Sequence, residues 1–233
     1  MALPYFYLPD PAEDDLLWLD EPNSKHAIAV LRMQEGEQLH LTDGKGQLLT
    51  AAIVSPHKKK CTIRVLEKTT ATRPQARVSI AISPVKNTAR FEWFLEKATE
   101  IGVAEIIPLI CQRTEKLHFR FERMEQILIS AMLQSQQVWL PKLHEPQPFS
   151  KVAQLPGFDR KWIAHCLPKS RQSLREEGVA VTDQLLLIGP EGDFTPSEIE
   201  SAIQANCFPV TLGNTRLRTE TAGMAGATLL CIG

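Results

Sequence analysis

The sequence predicts an α/β chain in which a small β-barrel precedes a larger domain built on a parallel sheet, and three observations predict it. Short, closely spaced strand patterns fill the chain up to about Arg73. A stretch without periodicity, TTATRPQ at residues 69–75, then interrupts it. Beyond that stretch, apolar strand-like runs alternate with helical stripes, the pattern of parallel strands joined by covering helices. At 233 residues, with 43% hydrophobic and 23% charged residues, the chain has the length and composition for a packed core, not for a disordered, fibrous or coiled-coil protein.

In the first part, residues 38–42 (QLHLT) alternate as a half-buried strand, and Asp43-Gly44-Lys45-Gly46 supplies turn chemistry. Residues 47–54 and 61–66 read as further strands, with one helix near 24–32. The linker places one domain at 1–70 and a second at 75–233. In the second domain, residues 78–82, 105–110, 161–165, 185–188 and 208–212 read as strands. Residues 90–101, 121–138, 197–205 and 221–232 read as helices. Phe91, Phe94, Leu95, Ala98 and Ile101 form an i, i+3, i+4 stripe that ends where Gly102 suits a left-handed cap. Glu92, Glu96 and Glu100 form its wet face. Thr195-Pro196-Ser197-Glu198 is a capping box, so the loop before it ends at Thr195.

Net charge is −1, but it is unevenly spread. Residues 1–21 hold six acids and no Lys or Arg, whereas residues 22–75 hold nine bases, including Arg32 and Lys58-Lys59-Lys60, against four acids. Local basic surfaces can therefore bind an anionic polymer in a chain that is neutral overall. Taken alone, the three lysines also read as a solvated turn. Five cysteines never form CxxC and no His-rich ligand spacing occurs, so neither a disulfide framework nor a metal site is expected. The opening MALPYFYLPDPAEDD lacks a basic region ahead of an apolar one, and no apolar run suits a membrane span. A cytoplasmic protein is the expectation.

In an open parallel sheet, ligands bind where strands end. Three loops qualify: HCLPKS after 162–165, Gly189-Pro190-Glu191-Gly192-Asp193 after LLLI, and the segment from Gly213 to Thr221 after PVTL. His165 ends its strand and reads as a ligand-facing or a hydrogen-bonded structural residue. Glu191 could hold ribose hydroxyls or cap its own loop. Neither GxGxxG nor GxxxxGK[ST] occurs, and GPEGD lacks the nucleophile of GxSxG, which argues against dinucleotide binding, P-loop hydrolysis and an esterase elbow.

Taken together, Leu187-Ile188-Gly189-Pro190-Glu191-Gly192, then Leu212-Gly213 and Leu217-Arg218-Thr219-Glu220-Thr221-Ala222, resemble the C-terminal signature of the RsmE family. These are methyltransferases of the SPOUT class that act on N3 of a uridine in 16S ribosomal RNA. HAIAVLRMQEG at 26–36 with LTDG at 41–44 is similar to the family's N-terminal barrel, and FLEKATEIGVAEIIPL at 94–109 with QRTEK at 112–116 to its first βα unit. The resemblance implies a PUA-like RNA-binding domain, then a knotted parallel sheet with helices on both faces and S-adenosylmethionine as methyl donor. It also implies 16S rRNA or the assembled small subunit as partner. Asp193 departs from the family, standing where many relatives carry a second glycine, as does Asn214-Thr215. Other readings are a SPOUT enzyme acting on transfer RNA or a ribose 2′-hydroxyl, and a non-enzymatic ribosome-assembly protein.

By that resemblance Ile188, Gly189, Gly192, Leu212, Gly213, Leu217 and Ala222 surround adenine and ribose; His165 and Glu191, from their own places at strand ends, are counted with them as cofactor-binding. Arg218, Thr219 and Glu220 lie nearer the reacting methyl. An arginine, Arg218 or Arg113, suits the negative charge that develops on the uracil oxygens, unless each is tied up in an ion pair with Glu220 or Glu115. Lys116, Arg120 and Arg123 suit phosphates, as do Arg32 and Lys58 to Lys60. The apolar run from Ala222 to Ile232 suggests a helix closing a homodimer, with Gly223 and Gly226 where another backbone comes close.

Overall fold

A computed structural model of the chain describes residues 3–12, 14–115, 118–167 and 171–232. It forms two compact units, Met1–Arg73 with Met132–Leu140, and Pro74–Ala131 with Pro141–Gly233.

In the first unit, β1 (Tyr5–Tyr7), β2 (Leu16–Trp18), β3 (Gln38–Thr42), β4 (Gln47–Ser55) and β5 (Thr62–Thr70) form one sheet in the order β1-β3-β4-β5-β2. β1 runs parallel to β3 and the other ladders are antiparallel. Alternation turns Leu39, Leu41, Leu49, Ala51, Ile53 and Ile63 inward, where they meet Phe6, Leu17 and Leu19 in a single core. α1 (Glu21–Lys25) starts at Asp20, whose carboxylate accepts the Asn23 N–H at 2.9 Å, and continues as a π-helical turn over His26–Val30.

The expected turn at 43–46 closes the β3–β4 hairpin, with the Asp43 carboxylate accepting the Lys45 and Gln47 N–H groups at 2.7 and 3.0 Å. Gly46 has φ +103°, and a Cβ there would stand 2.3 Å from the Trp139 ring. Trp139 arrives because residues 132–140 belong to this unit: the Gly46 N–H donates to the Val138 carbonyl at 2.9 Å and the Leu140 N–H to the Gly44 carbonyl at 2.8 Å. The helix expected to reach residue 138 therefore stops at Gln134, and Gln136 turns the chain away at φ +57°.

The second unit is one sheet of β6 (Val78–Ile82), β7 (Glu105–Ile110), β8 (Lys142–Leu143), β10 (Arg160–Ala164), β11 (Gln172–Ser173), β12 (Gln184–Ile188) and β13 (Cys207–Thr211). Its order is β11-β13-β10-β12-β6-β7-β8, every ladder is parallel, and β9 (Gln147–Pro148) pairs with β7. β6 and β12 are buried along their whole length, which is why they read as unbroken apolar runs.

Helices cover both faces. On one, Ile107, Ile163, Leu185 and Leu187 pack against α4 (Phe149–Ala153) and α5 (Pro196–Gln204), the latter opened by the expected capping box. On the other lie α6 (Thr219–Cys231) and α2 (Thr88–Glu100), the second ending at Gly102 with φ +90°. α3 (Phe121–Gln134) is tied to α2 by a bidentate Arg123–Glu92 ion pair at 2.6 and 3.0 Å. A Cβ on Gly223 would stand 2.7 Å from Ile82 and the Phe94 ring, and one on Gly226 2.2 Å from Leu186. These glycines, expected to admit another chain, instead bring α6 down onto its own sheet and α2.

Candidate functional site

β13, β10 and β12 are adjacent and parallel, so the loops that leave them emerge side by side at the carboxyl ends of the strands. These are the three loops marked by the sequence. Two cavities of about 380 and 390 Å³ open among them, sharing Ala164, Cys166, Arg216, Leu217 and Ala222 as walls. The first is also lined by Ile188, Gly189, Glu191, Arg218, Thr219 and Glu220; the second by His165, Leu212 and Gly213.

Of the expected site residues, Gly192 lies on neither wall: its carbonyl accepts a hydrogen bond from Arg113 Nη1 at 2.6 Å. Arg113 is thereby held against the Gly189–Asp193 loop of its own chain, and its expected partner Glu115 pairs with Lys86 at 2.6 Å. Glu220 is buried, 7% exposed, and its carboxylate is 3.7 Å from Arg90 Nε, not paired with Arg218. Arg218 caps α6 through its backbone alone, and its exposed side chain forms no hydrogen bond or ion pair among the described residues. Glu191 caps neither its own loop nor its own strand; its carboxylate accepts the Lys86 N–H at 3.1 Å, from the loop after β6. Thr219 stitches two loops together, its hydroxyl donating to the Gly189 carbonyl at 3.1 Å. His165 is 4% exposed, and its carbonyl accepts a hydrogen bond from Arg171.

The expected phosphate contacts scatter. Arg123 is committed to Glu92, Arg120 is exposed just ahead of α3, and Lys116 lies outside the described residues. In the first unit Lys58, Lys59 and Lys60 are exposed in the β4–β5 turn, and Arg32 is exposed at φ +59°. Sequence reasoning missed Arg90, which lines the first cavity from α2; its place beside an apolar helical stripe carried no signal of that.

Asp193 explains its own departure from the family pattern. It has φ +62°, a conformation that favours glycine, and Asp tolerates it by local hydrogen bonding. Its carboxylate accepts the Cys166 N–H and the Phe194 N–H, each at 2.8 Å, tying the β10 loop to the β12 loop. Asp193→Ala loses both bonds and adds about 1–2 kcal/mol of left-handed strain, whereas Asp193→Gly loses only the bonds. Chemical denaturation is therefore expected to rank wild type above Asp193→Gly and Asp193→Gly above Asp193→Ala; the reverse order of the two variants overturns the account.

An RNA methyltransferase domain family matches residues 72–231, enclosing both cavities, and an RNA methyltransferase PUA domain matches residues 19–66. A probable rRNA-methyltransferase from Porphyromonas gingivalis is 40% identical, with TM-score 0.90 over 97% of this chain and 96% of that one. A ribosomal RNA small subunit methyltransferase E from Neisseria gonorrhoeae, solved bound to S-adenosyl methionine, is 28% identical, with TM-score 0.87 over 97% of this chain and 96% of that one. The methyltransferase E of Mesomycoplasma hyopneumoniae is 31% identical over 157 residues, 65% of this chain and 67% of that protein. Two matched domains in order, paired GPEG and LRTET loops at the carboxyl ends of neighbouring strands, and relatives that span the whole fold converge on one assignment: the chain belongs to the RNA methyltransferase family, and within it to the RsmE group.

Proposed function

We propose that this chain methylates small-subunit ribosomal RNA, using S-adenosylmethionine, at N3 of a uridine. The observation that carries the reading is the cavity pair at the ends of β10, β12 and β13, inside the matched methyltransferase domain. The walls fit the donor. Ile188, Leu212, Leu217 and Ala222 are apolar enough for a purine, and Gly213, at φ +145°, has nothing within 4 Å of where a Cβ would stand. The carboxylates of Glu191 and Glu220 suit hydroxyl and ammonium groups, and Arg90 and Arg216 suit a carboxylate.

S-adenosylmethionine, when bound, supplies an electrophilic methyl group on a positive sulfur. The chain's own contribution is alignment, exclusion of water and stabilisation of charge. Arg218, exposed at the cavity wall and without a partner among the described residues, is the group assigned to the negative charge that develops on the uracil oxygens. Thr219 and Asp193 hold the loops in register.

In this reading residues 1–70 bind RNA and residues 75–233 carry the chemistry, in the knotted topology and homodimeric state of SPOUT enzymes. The half-buried outer face of α6, with Ile232 58% and Val181 70% exposed nearby, supports a second copy there. Among the described residues no helix is long and apolar enough to cross a membrane, and no acid, Cys and His cluster could hold a metal.

The test is stoichiometric binding of S-adenosylmethionine, followed by mapping of transferred methyl on 16S rRNA supplied free and as the assembled subunit. N3-methyluridine at one position is the expected product. Methyl on transfer RNA or a ribose would move the chain to another SPOUT activity, and RNA binding without cofactor binding would leave an assembly factor.

A further inference from the structure

On the outer face of the first unit, Trp18 is 58% exposed and Leu16 47% exposed, both on edge strand β2. Their neighbours Leu17 and Leu19 point inward and are 5% and 1% exposed, so the strand is seated and only its outer face is bare. Across the antiparallel ladder Trp18 opposes Thr62 and Leu16 opposes Arg64, which places all four on one face, with Leu66, 53% exposed, two residues beyond Arg64. Lys60 Nζ stands 4.4 Å from the Trp18 ring centroid, at the end of the exposed run His57-Lys58-Lys59-Lys60.

An exposed indole is unfavourable on a soluble surface, and the Lys60 ammonium over its ring still leaves Trp18 58% exposed. An aromatic plate bordered by cations is what an unpaired nucleotide requires: every base has a face to stack, and its phosphate lies within reach of a neighbouring ammonium. We infer that Trp18 is a stacking platform for a single-stranded stretch of RNA, whose phosphates are taken by Lys58, Lys59, Lys60 and Arg64. The exposed acids Asp14, Asp15 and Asp20 near β2 repel phosphate, so the strand leaves Trp18 toward the β4–β5 turn. The inference rests on the reading that this chain acts on RNA, and it adds what the basic count alone does not: the preferred RNA is unpaired, and one side chain senses that it is unpaired.

The test uses the full chain with an unstructured labelled RNA about twelve nucleotides long and a duplex of the same length. Wild type is expected to favour the single strand, and RNA to quench fluorescence that Trp18→Ala lacks. Trp18→Ala should weaken single-strand binding about tenfold or more and erase the preference over duplex, and Trp18→Phe should retain most of it. Changing Lys58, Lys59 and Lys60 to Glu should weaken both RNAs and reduce the salt slope by about two. Because Trp18 lies in the first unit and the cofactor cavities in the second, an unchanged circular dichroism spectrum and melting temperature of Trp18→Ala show that the fold is intact.

Equal affinity of Trp18→Ala and wild type for the single strand overturns the inference, as does indifference of wild type to pairing; a role for this face in docking a protein would give that result. If wild type binds no S-adenosylmethionine yet shows Trp18-dependent RNA binding, the methyltransferase reading fails and the stacking platform stands. If wild type methylates rRNA while Trp18→Ala binds RNA as wild type does, the methyltransferase reading stands and the stacking platform fails.

Discussion

Arg218→Ala is expected to slow methyl transfer about 10²–10³-fold while cofactor affinity stays within about threefold of wild type. The expectation comes from what Arg218 does not do in the folded chain. It caps α6 with its backbone, at φ −72° and ψ 158°, and donates no side-chain hydrogen bond among the described residues, so removing the guanidinium takes no bond from the fold. Glu220, which could have neutralised it, lies 3.7 Å from Arg90 instead. Arg218→Lys keeps the charge but not the planar fork, and should recover part of the rate. Single-turnover rates with 16S rRNA, alongside calorimetric cofactor titration, check both halves. Turnover within about threefold of wild type removes Arg218 from the chemistry; loss of cofactor binding instead makes it a ligand-holding residue.

What is legible in the sequence follows from how local each signal is. The capping box at Thr195, the turn at Asp43 and the buried runs of β6 and β12 need only a few neighbouring residues, and they stand where expected. The three loops around the cavities are legible because strands reading as parallel already say which ends gather together. Adjacency is not: that β10 lies between β12 and β13 is a fact of topology with no local mark.

Signals that depend on a distant partner fail in the same way. β1 and β2 have three residues each and exist only through their ladders to β3 and β5. Residues 135–138 read as helix because nothing near them says that the hairpin glycines 44 and 46 leave room for Leu140 and Trp139. Arg90 reaches the cavity from a helix whose pattern records only its buried stripe. The glycines of α6 do mark close approach, but to a different neighbour than expected, since crowding by Ile82, Phe94 and Leu186 looks, in sequence, the same as crowding by another chain.

The largest effect on stability is expected at Trp162, which supports the site without touching it. Its side chain is fully buried in β10, two residues before Ala164 and the cavity loop, and its ring packs 5.8 Å from Phe208 of β13. The indole N–H donates to the Gln184 side-chain carbonyl on β12 at 2.7 Å, so one residue ties together the three strands that carry the loops. Trp162→Ala should cost about 3–5 kcal/mol from the cavity it leaves. At about 2–4 °C per kcal/mol for a chain of this size, the melting temperature falls by roughly 6–20 °C. Trp162→Phe keeps most of the packing but strands the Gln184 oxygen, a loss of about 1–3 kcal/mol. Adding Gln184→Leu to Trp162→Phe removes the stranded acceptor and should return part of that stability, because replacing both partners of a buried hydrogen bond with apolar groups is far less damaging than removing one. Urea denaturation of the three variants decides: a double variant no more stable than Trp162→Phe assigns the loss to shape and not to the hydrogen bond, and a Trp162→Ala cost below about 1 kcal/mol would mean that this core does not hold the strand ends together.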